Sequence, residues 1–267
     1  MKVGFYQLTP EWKNPRATLA KLKQRLKGET FDLLVLPELF TTGYLLEEKE
    51  VYKWAEELDD SRTVEELTKL AQASGGMICG SIIEIGDDEM IYNTAVIVSG
   101  EGLEGSHRKH HLPDMEQVNF RKSHELPKFI DIKGTPVSSL ICFDMWMPEL
   151  VRILARNGAQ IICHPSAFSG PDTLDIVKVR ALENKVFIIT SNLTGTESGL
   201  GMEETYRGSS CIVSPSGKVI LQAGVEESLE YIDIDPSEAS HKSLPFCKNL
   251  WKEWNRYKTE VVSNAQP

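Results

Sequence analysis

Short apolar runs alternate along the start of the chain with stretches whose apolar residues recur at helical spacing. The first run, Lys2–Leu8, precedes a segment in which leucines recur between Leu19 and Leu26 while lysine and arginine fill the positions between them. That spacing places the leucines on one face of a helix. The next apolar run, 31–38, is followed by an acidic amphipathic stretch, 61–76. This part of the chain therefore predicts strand, helix, strand and helix in turn.

The middle of the chain departs from this alternation. Three apolar or β-branched runs follow one another with only short polar turns between them, and a later pair has the pattern of a hairpin. Successive strands flanked by strand–helix units predict an α/β protein with two mixed sheets faced by helices rather than one open sheet. The strand runs are 76–85, 93–100 and 101–111, the strand–helix pairs are 136–144 with 147–158 and 159–168 with 174–185, and the run 186–193 precedes the hairpin 209–223.

The domain organisation is simple. No internal repeat, low-complexity tract or linker rich in proline or serine interrupts the 267 residues. The sequence therefore predicts a single domain over residues 1–267. An aromatic stretch beyond the final strand pair forms a C-terminal tail from about residue 241, which we expect to pack on the core or on a partner subunit.

Composition and charge narrow the class of partner. The chain is 41% hydrophobic and 25% charged, and its formal net charge is −10 with lysine and arginine scattered along it. That balance argues against nucleic acid and against an anionic membrane surface as partners. No apolar run approaches the roughly 20 residues that span a bilayer, and the first residues have the pattern of a strand rather than of a signal peptide. We therefore expect a cytoplasmic location.

The five cysteines are an odd set with wide spacing and no CxxC pair, which favours reduced thiols over disulfides. Cys142 differs from the others because it follows an apolar strand, and Pro148 allows a helix to begin soon after it. Such a corner presents a side chain outward, and helix N-termini and nearby cations activate a thiol. Cys163 also ends a strand and precedes His164, but adjacent strand residues point to opposite faces. We therefore predict Cys142 as the nucleophile, ahead of Cys163, and structural roles for the remaining cysteines.

Two further segments carry charged side chains in positions suited to catalysis. Glu38 closes an apolar strand after a proline, and α/β proteins place their chemistry at the carboxyl ends of strands, although a turn-capping role stays equally open. Lys109 lies in a basic stretch that also contains His107, His110 and His111. Three histidines this close also suggest a zinc site, but no carboxylate or cysteine stands at a recognisable ligand spacing. We therefore expect no metal.

Three segments follow one another in a fixed order: LPELFTTGY around Glu38, HRKHHLP around Lys109 and ICFDMWMPE around Cys142. Together they resemble the nitrilase, or carbon–nitrogen hydrolase, superfamily, and the resemblance extends from Lys2 to the hairpin at 209–223. The segment RALENKVFIITSNLTG and the YRGSS motif match the family as well. One such fragment would be weak support, whereas three in the right order on the right local structures are strong support.

The resemblance implies a four-layer αββα sandwich and a catalytic set of Glu38, Lys109 and Cys142 that needs no cofactor. Members commonly carry a second glutamate after the lysine loop, for which Glu116 is the nearest candidate and Asp114 the alternative. Glu38 would serve as general base and acid. Glu116 would orient the lysine or the hydrolytic water.

Other residues of the site follow from the same resemblance. Lys109 and the backbone N–H of Phe143 would form an oxyanion hole. An aromatic and sulfur-rich border around the nucleophile favours an uncharged or partly apolar acyl group, although at least half of the border residues are expected to be ordinary core residues. Arg180 and Glu183 should pair on a helix, and Asn192 either faces the pocket or caps a strand end. The candidate pocket residues are Tyr44, Met145, Trp146, Ser166 and Phe168.

The predicted function is hydrolysis of a small amide or carbamoyl amide through a covalent acyl-enzyme on cysteine, with release of ammonia or an amine. A nitrilase that uses the same residues stays open, as does a member that binds without catalysis or transfers the acyl group to an amine. Zinc hydrolysis by the histidine cluster is a further alternative. A homodimer or larger homo-oligomer is expected, formed through the helices after Cys142 and Cys163 and the C-terminal tail.

Overall fold

The structure is a computed structural model that describes residues 1–240, 242–243 and 247–260. Part of the predicted C-terminal tail, residues 241, 244–246 and 261–267, lies outside these ranges. The strands are β1 (Lys2–Gln7), β2 (Leu33–Val35), β3 (Met77–Ile85), β4 (Ile91–Ser99), β5 (Gly102–Arg108), β6 (Ile130–Ile132), β7 (Thr135–Ser139), β8 (Ile161–Ser166), β9 (Phe187–Asn192), β10 (Thr194–Gly199), β11 (Met202–Arg207), β12 (Cys211–Val213), β13 (Val219–Gln222) and β14 (Ser228–Asp233). The helices are α1 (Pro15–Arg25), α2 (Glu48–Trp54), α3 (Arg62–Ser74), α4 (Pro148–Arg156), α5 (Asp172–Asn184) and α6 (Leu250–Glu260).

The strands form two six-stranded mixed sheets and a separate hairpin of β10 and β11. The first sheet has the order β14-β1-β2-β3-β4-β5, in which β1, β2 and β3 are parallel and the other pairs are antiparallel. The second has the order β13-β12-β9-β8-β7-β6, with β7, β8 and β9 parallel. Both sheets therefore place the carboxyl ends of their parallel strands where side chains can meet.

The sheets pack face to face through an apolar layer, which we call the inter-sheet layer. Leu33 and Val35 of β2 and Ile161 of β8 lie in it, whereas Leu34 and Ile162 point to the opposite faces of their sheets. This alternation follows from the period of two along a strand. Because both faces are buried, these strands are apolar throughout.

Helices cover the outer face of each sheet. Leu22 of α1 and Leu67 of α3 pack on the first sheet, and Val151 of α4 and Val177 of α5 pack on the second. Helix, sheet, sheet and helix form four layers, which confirms the predicted αββα sandwich. No helix in the described part of the chain is long and apolar enough to cross a membrane.

The described part of the C-terminal tail lies on α4. Trp251 packs against the apolar cluster under that helix, and the guanidinium carbon of Arg156 lies 3.9 Å from the centre of the Trp254 ring. Arg156 also donates a 2.7 Å hydrogen bond to Asn255. These contacts attach α6 to the helical layer of the second sheet.

Several elements were not predicted from the sequence, among them α2, β6 and β14, and two of the others bear on the site. The β10–β11 hairpin carries polar and charged residues on most positions, so it lacks the apolar alternation that marks a strand. The chain after Cys142 also forms a 3₁₀ turn, Cys142–Trp146, before α4 begins at Pro148. The nucleophile candidate therefore lies in a tight turn and not at the N-terminus of α4 itself.

Candidate active site

The segments that follow β2, β5, β7 and β8 meet at one edge of the sandwich. Glu38 follows β2, Lys109 follows β5 and Cys142 follows β7, while Ser166 is the last residue of β8. Because β4 is antiparallel to both neighbours, β5 runs in the same direction as β3, which brings Lys109 to the edge that carries Glu38. The backbone N–H of Glu38 donates to the carbonyl oxygen of Ser166 at 3.3 Å. That bond joins the edges of the two sheets.

Lys109 lies between two buried carboxylates. Its Nζ donates to Glu38 Oε1 at 2.6 Å and to Glu116 Oε1 at 2.5 Å, and all three side chains are almost completely excluded from solvent. Asp114 takes no part in this cluster, since its carboxylate accepts a hydrogen bond from the exposed Gln117. Of the two candidates for the second carboxylate, the structure brings Glu116 to the lysine.

Neutral side chains hold the two carboxylates in place. Asn93 of β4 donates from Nδ2 to Glu38 Oε1 at 2.7 Å, and its backbone carbonyl oxygen accepts the backbone N–H of Lys109 at 2.8 Å. The Tyr44 hydroxyl donates to Glu116 Oε1. The backbone N–H of Tyr44 in turn donates to the buried carboxylate of Glu197 at 2.9 Å. Each carboxylate of the cluster is thus fixed by a donor other than the lysine.

The backbone at Cys142 is in the left-handed region, with φ of 42°. A residue other than glycine in that region costs about 1–3 kcal/mol and persists only when its surroundings hold it there. Buried His164 contributes, because its Nε2 lies 3.1 Å from the carbonyl oxygen of Cys142 and its Nδ1 lies 3.0 Å from the Thr190 hydroxyl. Burial lowers the pKa of His164 to about 4, so this histidine is neutral.

The electrostatics of the site determine the resting protonation states of the thiol and the lysine. Burial raises the pKa of Glu38 to about 7, although Lys109 acts in the opposite direction. Burial and the Glu38 carboxylate raise the pKa of the Cys142 thiol well above its usual range, again against the effect of Lys109. Burial also opposes the charge of Lys109, but Glu116 and Glu38 outweigh it and raise the pKa of the ammonium group. The lysine therefore stays charged while the thiol is protonated at rest.

The five predicted pocket residues occupy different environments. Tyr44 contacts the catalytic cluster, and Trp146 is 37% exposed beside Phe143, with ring centroids 6.3 Å apart. The prediction that Met145 lines the pocket is wrong. Its side chain is fully buried in the apolar cluster of α4 and α5, because the 3₁₀ turn directs it inward. Ser166 is also fully buried, with its hydroxyl 3.0 Å from His164 Nε2, and Phe168 is nearly so. The sulfur-rich border predicted from Met145 is therefore absent at that position.

Other predictions are resolved by contacts. Arg180 and Glu183 form the predicted pair at 3.0 Å, and Arg180 also donates to the backbone carbonyls of Met145 and Trp146. Asn192 caps the end of β9, where its side chain bonds both the N–H and the carbonyl oxygen of Phe168 at 2.8 Å. It fixes the loop that follows Ser166.

The histidines near Lys109 have partners of another kind. His107 Nε2 lies 3.3 Å and His111 Nδ1 3.2 Å from the carboxylate of Asp144. No group of three or more histidine, cysteine, aspartate or glutamate side chains that could hold a metal ion occurs among the described residues. Cys163 lies in the inter-sheet layer while His164 points to the active site, as the opposed faces of a strand predict.

Three residues of this site were not singled out from the sequence. Asn93 lies within an apolar strand, Asp144 lies inside the ICFDMWMPE motif, and Glu197 lies on the polar β10 strand. All three are buried. A polar residue in an otherwise apolar strand is the one available signal, and it applies to Asn93.

Comparison with protein families agrees with this geometry. The family model described as carbon–nitrogen hydrolase matches residues 2–241. A protein named nitrilase from Pyrococcus abyssi is 32% identical over 258 residues, which is 95% of this chain and 97% of that protein. The omega-amidase NIT3 of Saccharomyces cerevisiae is 30% identical over 275 residues, 93% of this chain and 92% of that protein.

Solved structures show the same fold. The crystal structure of Saccharomyces cerevisiae Nit3, a member of the nitrilase superfamily, matches with a TM-score of 0.78 and 26% identity over 99% of this chain and 96% of that chain. An amidase from Nesterenkonia sp. AN1 with the acetamide moiety of fluoroacetamide added covalently at its active-site cysteine matches with a TM-score of 0.79 and 26% identity, covering 90% and 92%. The present chain belongs to the carbon–nitrogen hydrolase family.

Proposed function

We propose that Cys142 is the nucleophile of this hydrolase, Glu38 its general base and acid, and Lys109 with Glu116 the charged pair that supports them. The observation that carries the proposal is the buried Lys109 ammonium, which bonds both glutamates at the edge where the Cys142 turn lies. A charged lysine held in this way is placed to stabilise negative charge that develops next to it.

The resting protonation states suit the first step. An amide carbon is a poor electrophile, so the thiol must lose its proton as it attacks. Glu38 carries a raised pKa of about 7, which makes it a competent base near neutral pH. Sulfur of Cys142 forms a bond to the carbonyl carbon, and the proton passes to Glu38. Glu38 then protonates the departing nitrogen, the carbon–nitrogen bond breaks, and ammonia or an amine leaves.

Water completes the cycle. Glu38, again ionised, accepts a proton from a water molecule whose oxygen attacks the thioester carbon, and the sulfur of Cys142 recovers a proton as the acid leaves. Glu38 Oε2 and Glu116 Oε2 are buried and have no hydrogen-bond partner among the described residues. Buried acceptors of this kind need donors, and the N–H groups of an amide or the hydrogens of water supply them.

The negative charge on the carbonyl oxygen needs donors of its own. Lys109 supplies one, and we assign the second to the backbone N–H of Phe143. That N–H lies in the first turn of the 3₁₀ segment that begins at Cys142, where backbone donors lack partners within the helix. Together they would form the oxyanion hole.

We infer an uncharged or partly apolar acyl group. Trp146 and Phe143 present an aromatic border next to the nucleophile, and Lys109 is already paired with two carboxylates, so it is not free to bind an acidic substituent. Relatives named omega-amidase make a small primary amide the first substrate class to test. The relative named 2-oxoglutaramate amidase points to an amide whose acyl half carries a carboxylate, so an acidic amide is the contrasting substrate that tests the inference. The relative named nitrilase favours nitriles as the second class.

Assembly and location complete the proposal. We infer that residues 1–267 act as one domain, in the cytoplasm, and as a homodimer or larger homo-oligomer. Exposed apolar side chains on the outer helices support the assembly: Ile153 is 37% exposed, Val179 49% and Leu182 43%. Sedimentation of the intact chain and of a Val179→Asp, Leu182→Asp variant tests it. A monomeric intact chain would contradict it.

The test of the chemistry is intact-mass spectrometry after brief exposure to small amides, carbamoyl amines and nitriles, together with ammonia release. An acyl adduct on the intact chain that is missing from Cys142→Ala is the expected result, and its mass identifies the acyl half. Ammonia release that persists in Cys142→Ala would refute the assignment of the nucleophile. A chelator should leave the rate unchanged, and a loss restored by zinc would support the metal alternative instead.

A further inference from the structure

Asp144 lies two residues after the nucleophile and is fully buried. Its Oδ1 accepts the backbone N–H groups of His110 at 3.1 Å and of His111 at 2.8 Å, and it lies 3.2 Å from His111 Nδ1. These donors follow Lys109 directly in the chain. One oxygen of Asp144 therefore holds the segment that carries the catalytic lysine.

The other oxygen holds the nucleophile turn. Asp144 Oδ2 accepts the backbone N–H of Ile141 at 3.2 Å and lies 3.3 Å from His107 Nε2. The backbone N–H of Asp144 donates back to the carbonyl oxygen of Ile141 at 2.9 Å. These reciprocal bonds enclose Cys142, whose left-handed backbone needs such support.

The side chain must be an anion to make all of these contacts. Backbone N–H groups and histidine rings approach both oxygens, and a carboxylate accepts at both whereas an amide accepts at only one. Although burial opposes ionisation, hydrogen bonds from His107 and His111 lower the pKa of Asp144, so it stays charged. Charge-assisted bonds of this kind are the strong ones in proteins.

We propose that Asp144 is a positioning residue that sets the separation between the Lys109 ammonium and the Cys142 sulfur. The inference rests on the proposed roles of those two residues. Lys109 is fixed at its side chain by Glu38 and Glu116, and Asp144 fixes the backbone immediately after it to the backbone on either side of Cys142. Without the Asp144 hydrogen bonds, no side-chain hydrogen bond among the described residues would directly join the segment that carries the Lys109 ammonium to the turn that carries the Cys142 sulfur.

Asp144→Asn is the informative substitution because it keeps the volume and removes one acceptor. A misplacement of about 1 Å at a reacting centre lowers rates by roughly 10²-fold, so we expect kcat to fall by about 30- to 100-fold. KM should change by less than about 3-fold, because Asp144 contacts no substrate. Glu56→Gln is the matched control: Glu56 is a half-buried carboxylate that bonds Ser61 and Thr63 at the start of α3, away from the site, and its loss should leave kcat within about 3-fold.

A double-mutant cycle with Lys109→Met separates positioning from a general loss of structure. If Asp144 acts through the lysine, its substitution should matter little once the ammonium is gone, and the double variant should stay within about 3-fold of Lys109→Met alone. Fully additive losses would overturn the inference. Retention of the wild-type kcat by Asp144→Asn would overturn it as well, while an intact chain that forms no adduct would refute the proposed function instead.

A second variant covers the case in which Asp144→Asn does not fold. His111→Ala leaves the carboxylate in place and removes one donor on the Lys109 side. We expect an intermediate fall in kcat, about 3- to 10-fold, at unchanged KM. An unchanged kcat in a folded His111→Ala protein would count against the positioning role.

Discussion

Removal of the Lys109 ammonium is the sharpest perturbation of the proposed chemistry. Lys109→Met keeps a long side chain in the buried space between Glu38 and Glu116 but takes away the charge. A unit charge at about 4 Å from a developing oxyanion, at an effective dielectric of about 20, contributes roughly 4 kcal/mol. Each 1.36 kcal/mol is about tenfold in rate, so kcat should fall by about 10³-fold.

The same substitution changes the dependence on pH, in a direction that the structure fixes. Glu38 must be ionised to accept the thiol proton, and its pKa of about 7 already includes the lowering effect of Lys109. Without the ammonium, two buried carboxylates face each other with less compensation, and the pKa of Glu38 rises further. The acidic limb of the kcat/KM profile should therefore move to higher pH in Lys109→Met.

Ammonia release measured from about pH 5 to pH 9 tests both effects in one experiment. Lys242→Met is the control, because Lys242 is a half-buried lysine, donates to the Lys185 carbonyl at 2.7 Å and lies outside the site. Its loss should reduce stability with no change in the limb. A Lys109→Met enzyme with normal kcat, or with a limb that moves to lower pH, would refute the proposed role of the charge.

Three further predictions use the same assay or equilibrium unfolding. In the wild-type enzyme kcat/KM should rise with pH through about 7 as Glu38 ionises, and a flat profile across that range would exclude Glu38 as the base. Asn93→Ala removes a 2.7 Å hydrogen bond to that carboxylate, and since bonds to charged groups contribute about 1.5–3 kcal/mol, kcat should fall by roughly 10- to 100-fold. Asn192→Ala leaves the backbone N–H of Phe168 and the carbonyl oxygen of Gly208 without the bonds that Asn192 makes, so urea unfolding should show a loss of about 2–4 kcal/mol; a loss below about 1 kcal/mol would contradict this.

The apolar runs predict two mixed sheets faced by helices, and the family resemblance adds the four-layer αββα order. Leu33, Leu34 and Val35 form an uninterrupted apolar run, which is the pattern of a strand buried on both sides. The β10–β11 hairpin could not be predicted in this way, because it has solvent on one side and polar residues on most positions. The role of its buried Glu197 is visible only in the tertiary structure, where the carboxylate accepts the backbone N–H of Tyr44, a residue distant in sequence.

The catalytic candidates were predictable for a related reason. Glu38 and Cys142 each end a recognisable apolar run, whereas Lys109 lies in a basic stretch and was identified through the family resemblance. Asp144 shows the limit, because its partners His110 and Ile141 lie on segments whose proximity is a property of the tertiary fold. Met145 was predicted to line the pocket because it is close in sequence to Cys142. A 3₁₀ turn points successive side chains in different directions, and the Met145 side chain points into the core.

The division of the site between two sheets has a consequence for evolution and design. Glu38 and Lys109 belong to the first sheet and Cys142 to the second, so the distance from base to nucleophile is set by the thickness of the inter-sheet layer. Side chains such as Cys79 and Val137, which contact no substrate, act as spacers for the reaction. Because packed interiors transmit a change of even one methylene group, enlargement of either residue should alter turnover as well as stability. Selection for catalysis therefore extends into the middle of the molecule.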